Sequence, residues 1–86
     1  MTVLKFTRYT DSTTLAHDSQ AAMSPHRSVF ITADMKQDRV DLRVADDGLS
    51  SYIRFTTNQA RSIAAELIAG ADARDAAQSP KPGLEG

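Results

Sequence analysis

VDLRVADDGLSSYIRF, Val40 to Phe55, holds an Asp-Gly pair between two runs that alternate apolar and polar residues. Asp-Gly is the favoured centre of a two-residue type I′ turn, because both central positions need a positive φ. With Asp47 and Gly48 at the turn, Asp46 faces Leu49. Counting outward, Leu42 then meets Ile53 and Val40 meets Phe55 on one face of the hairpin. On the other face Asp41 meets Arg54 and Arg43 meets Tyr52. A turn rule blind to side chains thus delivers apolar pairs on one side and an opposite-charge pair on the other. A loop two residues longer would set Arg43 against Arg54.

Upstream, SVFITADM (Ser28–Met35) puts Val29, Ile31, Ala33 and Met35 on one face. Its connection to the hairpin, MKQDR, allows two registers. A tight turn at Gln37 and Asp38 would oppose Asp34 to Asp41, whereas a looser one opposes Asp34 to Arg39 and is better on charge. Both stay open. Three period-2 segments separated by turn residues predict an antiparallel meander that is wet on one face. TVLKFTRY, residues 2–9, is strand-like and would add at an edge that the pattern does not specify. Between it and the meander lies TDSTTLAHDSQAAMSPHR, Thr10–Arg27, which is polar and poor in large apolar residues. It predicts a long loop, functional or mobile.

Downstream, Thr56 and Gln59 have the capping-box spacing just before an apolar run. With Thr56 as N-cap, Ala60, Ile63, Ala64, Leu67, Ile68 and Ala71 form one stripe. The helix follows the last strand with almost no linker, so it is expected to fold back as a lid over the apolar sheet face. About 15 residues would make some 22 Å of helix, which matches the strands. The opposite side carries Ser62, Ala65, Ala69 and Ala73, a smooth line of small residues. Alanine is the best helix former, which accounts for the line without a partner. Small residues also let a second helix approach closely, which would make the line a self-association surface. Residues 78–86, rich in proline and glycine, read as a disordered tail. The expected fold is α+β: one domain over residues 1–77, a three- or four-stranded antiparallel meander with a C-terminal helix packed on one face.

The segment IRFTTNQARSIAAELIAGAD, residues 53–72, resembles the ending of many small bacterial and phage proteins, a strand followed by a T-x-x-Q-A-R-x-(I/L)-A-x-x-(L/I) helix. The resemblance implies an accessory protein of unassigned role, of a class that includes phage-type proteins binding and blocking host machinery.

Composition narrows the functional classes. In 86 residues, the tail and the polar stretch leave roughly 55 to 60 to build a core, which is marginal for a domain standing alone. There is no cysteine, so neither disulfides nor thiolate zinc sites can staple the fold. Association with a second copy or a partner is the common remaining remedy, and a homodimer is expected. Ten basic residues stand against eleven acidic ones, which is not the balance of a strongly basic nucleic-acid binder. MTVLKFTRYT lacks the apolar run of a secretory signal, and no window approaches a membrane span. A soluble, cytoplasmic protein is expected.

His17 and His26 lie near Asp18 and Ser24 in the polar stretch, but no spacing matches a catalytic or metal-ligating motif. Phosphate loops, nucleophile elbows and zinc-protease motifs are also missing from the chain. The expectation is no catalysis, no metal and no cofactor. The polar sheet face would present Phe30, Arg39, Arg43, Tyr52 and Arg54. Such a face can be solvated and held by cross-strand ion pairs. It can bind a larger protein through Phe30 and Tyr52 with arginine support. It can also hold single-stranded nucleic acid by stacking and phosphate contacts, although Asp34 and Asp41 cancel much of the field. The expected function is a non-enzymatic protein-binding or regulatory accessory protein; the alternative is weak single-strand nucleic-acid binding on the same face.

Overall fold

The computed structural model describes residues 3–78. Its elements run β1 (Thr7–Arg8), β2 (Leu15–Ser24), β3 (Arg27–Asp34), β4 (Val40–Asp46), β5 (Leu49–Phe55) and α1 (Thr57–Gln78). The strands form one antiparallel sheet in the order β1-β2-β3-β4-β5, an open meander with every neighbour joined by a short connection. The fold is α+β as expected, with five strands rather than three or four. The expected tail falls on residues 78–86, of which 79–86 lie outside the described residues.

The β4–β5 hairpin has the register its turn demands. Asp46 pairs with Leu49, Leu42 with Ile53, Val40 with Phe55, Asp41 with Arg54 and Arg43 with Tyr52. Asp47 and Gly48 take φ of 51° and 81°, the left-handed pair of a type I′ turn. The β3–β4 connection takes the looser form: the Asp34 amide donates to the Arg39 carbonyl at 3.1 Å, and Ala33 pairs with Val40. Asp34 fastens this loop by accepting from the amides of Lys36 and Gln37 at 2.8 and 2.7 Å.

The stretch expected as a loop, residues 10–27, is mostly strand: β2 is ten residues long and pairs along β3. Alanine, serine, aspartate and glutamine are weak strand formers, so β2 carries little local signal. Its place is decided by the ladder it makes with β3 and by tight packing. Ser19 and Ala21, 2% and 4% exposed, are with Val29 the most buried residues described. The expected strand over residues 2–9 contracts to Thr7–Arg8, paired with Gln20 and Ser19 at the β2 edge.

The sheet's apolar side carries Ser19, Ala21, Val29, Ile31, Val40, Leu42, Val44, Ile53 and Phe55, aligned across the strands. The helix does not cover it, which corrects the expected lid. The helix touches the sheet chiefly at β5, from which it grows, and runs on past Gly70 to Gln78. Only Ala60 along it is half-buried; Ile63, Leu67 and Ile68 are exposed. Its first turn is closely held. Gln59 N–H donates to Thr56 Oγ1 at 3.1 Å while Gln59 Oε1 accepts from the Thr56 amide at 2.9 Å, a complete capping box. Asp38, reaching from the β3–β4 loop, accepts from the Thr57 amide at 2.8 Å. These bonds tie the first turn of the helix to the end of β5 and to the β3–β4 loop. Among the described residues, no helix is long and apolar enough to cross a membrane.

Candidate recognition surface on the polar sheet face

Successive strands place side chains in straight rows across the polar face. One row runs Gln20, Phe30, Arg43, Tyr52 from β2 to β5. The next runs Asp18, Thr32, Asp41, Arg54. On the other side of the aromatic row lies a shelf of small residues: Ala22, Ser28, Ala45 and Ser50. The antiparallel register alone produces this layout, because every second residue of each strand shares the face.

Within the rows the contacts are specific. The Arg43 guanidinium carbon lies 3.9 Å from the centroid of the Phe30 ring, a close cation–π stack. Arg54 lies 5.7 Å from the Tyr52 ring centroid and forks onto Asp41, its Nε donating at 2.9 Å and a terminal nitrogen at 3.2 Å. The fork holds the Asp41 carboxyl below the ordinary aspartate range and raises the Arg54 pKa in return. Asp41 therefore stays ionised at neutral pH. Tyr52 is 59% exposed, with its ring open to solvent.

Phe30, Arg43, Tyr52 and Arg54 together line a shallow dish of about 340 Å³, completed by Leu15, Asp18, Thr32 and Asp41. Four of the five residues expected on this face are thus brought together. Arg39 lies at the end of the same face, just outside the dish, paired with Asp34 at 3.4 Å beside the β3–β4 loop and sharing a second hollow with Arg54, Asp38 and Gln59. Leu15 escaped sequence reasoning because its strand did. An irregularity in register between Leu15 and His17 sets it opposite Asp34 and into the dish, breaking simple alternation.

Arg43 differs from its neighbours. Arg27, Arg39 and Arg54 each hold an aspartate, at 2.8, 3.4 and 2.9 Å. Arg43 has the Phe30 ring and, among the described residues, no carboxylate, although it is exposed.

The histidines of the polar stretch are separated. His17 lies within β2 and shares a 3.0 Å hydrogen bond with the Ser19 hydroxyl. His26 sits in the β2–β3 turn, 3.4 Å from Asp47. Asp18, next to His17 in a strand, points to the opposite face. No group of three or more histidine, aspartate or glutamate side chains able to hold a metal occurs among the described residues. The line of small helical residues, Ser62, Ala65, Ala69 and Ala73, is exposed along its length.

Comparison of this chain with protein-family models, with curated proteins and with solved structures finds no match.

Proposed function

We propose that the protein is a non-enzymatic binding protein that meets a larger protein through the polar face of its sheet. The observation that carries this reading is Arg43 stacked at 3.9 Å on Phe30, in line with the open Tyr52 ring. An arginine and two aromatics already seated on strands lose little freedom on docking, the property of interface anchors. The small-residue shelf beside them lets a partner backbone approach closely. Arg43 calls for a carboxylate from the partner, while Tyr52 and Leu15 call for apolar surface. A partner of this kind is in keeping with the accessory, phage-type role implied by the resemblance of residues 53–72. Asp41, held ionised by Arg54, is poorly suited to move protons at neutral pH, which favours binding over catalysis.

Charge separates this from the nucleic-acid reading. On the face, Arg39, Arg43 and Arg54 are matched by Asp18, Asp34 and Asp41, so there is no net field to gather phosphates. The second reading is favoured by the aromatic–arginine–aromatic row itself, a geometry on which bases stack.

The test is capture by the full chain from lysate of its source, with nuclease, beside Arg43→Ala and Tyr52→Ala. The expected result is a defined protein retained after nuclease and weakened about tenfold or more by each substitution, as interface anchors behave. Capture that nuclease abolishes and salt weakens steeply would replace it with the nucleic-acid reading. Capture indifferent to both substitutions would remove the sheet face from consideration.

A further inference from the structure

The apolar side of the sheet and the apolar stripe of the helix both stand open on the same chain. Ile53 is 57% exposed and Leu49 77%, while Leu67 and Ile68 of the helix are 70% and 63% exposed. On the sheet, Met23, Val44 and Leu49 line a hollow of about 440 Å³ with the Arg27–Asp46 pair at its rim. The hollow is wide enough for the leucine and isoleucine side chains of one helical turn. The chain's own helix contributes no residue to its lining.

The exposed area measures what is missing. The chain shows 7047 Å² to solvent. With about 1,400 Å² set aside for the ten undescribed residues as if fully solvated, the rest still exceeds a folded chain of its size by about 1,100 Å². That excess is of the size each copy would contribute to a stable homodimer, where roughly 2,000 Å² or more is buried in total.

We propose that a second copy of this chain covers the apolar face, each helix laying Ile63, Leu67 and Ile68 across its partner's sheet around Val44, Leu49 and Ile53. A two-fold arrangement satisfies both open surfaces at once, since each chain offers one sheet and one helix. The polar face with Phe30, Arg43 and Tyr52 stays free on both copies. The helix meets the sheet through its large apolar residues; the line Ser62, Ala65, Ala69, Ala73 faces outward.

Sedimentation equilibrium of the full chain between micromolar and hundred-micromolar concentrations is the first test, and the expected mass is that of a dimer. Leu67→Lys and Ile53→Lys should each raise the dissociation constant about 100-fold or more, because a lysine would replace a buried apolar contact. Ala69→Glu should leave it unchanged. A monomeric wild type would overturn the proposal, as would a dimer broken by Ala69→Glu and not by Leu67→Lys. Cross-linking guards against variants that merely misfold. The chain has no cysteine, so single-cysteine chains Ile53→Cys and Leu67→Cys can be mixed and joined with a short bismaleimide. A covalent species containing one of each supports the exchange of helices. Exclusive joining of Leu67→Cys to itself would place helix against helix and sink the arrangement.

Discussion

Gly48 sits at φ 81° with nothing within 4 Å of where a Cβ would stand, so the cost of a side chain there is purely one of backbone. Gly48→Ala should lower stability by about 1 kcal/mol, read as a shifted urea midpoint with an unchanged slope. Asp47→Asn should be nearly neutral, since asparagine tolerates the same left-handed conformation. Ala21 presents the opposite situation, a small residue that is small because it is packed. At 4% exposure and opposite Val29, Ala21→Leu should overpack the strand pair and cost about 1–3 kcal/mol. Phe30, Arg43 and Tyr52 could be placed on one face from alternation and the Asp-Gly turn alone. That Arg43 stacks on Phe30, while Arg54 takes Asp41, could not. Asp41 shares the face with both arginines, directly across from Arg54 and two residues along the strand from Arg43, and only side-chain geometry chooses between them.

At the scale of elements, the helix shows how a local signal can be right and its consequence wrong. The capping box at Thr56 and Gln59 is formed as its spacing implies, and Thr56→Ala should cost about 1 kcal/mol through its loss. Asp38 adds a long-range hold on the same turn. Its carboxyl is kept below the ordinary aspartate pKa by the hydrogen bond from the Thr57 amide, followed by that of the Thr57 hydroxyl. A lowered folded-state pKa means the contribution is fully present above the ordinary value of 3.8 and is lost as pH falls through the folded value. Amide exchange at Thr57, corrected for the intrinsic effect of pH, should therefore quicken below about pH 4, and Asp38→Asn should quicken it at neutral pH. Unchanged protection in that variant would show that the Asp38 bond does not hold the first turn of the helix. The strand β2 is the reverse case: its residues have little intrinsic reason to be extended, and its ladder with β3 supplies one.

For the whole molecule, the decisive quantity is apolar surface left in water. Among the described residues only Ser19, Ala21 and Val29 are fully buried, and the larger apolar residues of the strands are at most half-buried, a core that is marginal for a domain of this size. If the second copy completes that core, thermal stability must depend on protein concentration, with the midpoint rising as the chain is concentrated. A midpoint constant over a hundredfold range would show that one chain folds by itself. The sequence by itself determined the β3–β4–β5 meander, the register of its second hairpin, the two faces of those strands and the capped start of the helix. Each of these rests on rules that act over a few residues: turn geometry, alternation and cap spacing. Only the tertiary structure decided that residues 15–24 are a strand, that Leu15 joins the polar dish and that the helix leaves its own sheet uncovered. The first two depend on a neighbouring strand's open hydrogen bonds and a break in register, and the first turn of the helix is tied to an aspartate nineteen residues from the amide it accepts from. Such interactions act between segments distant in the chain, and no local pattern carries them.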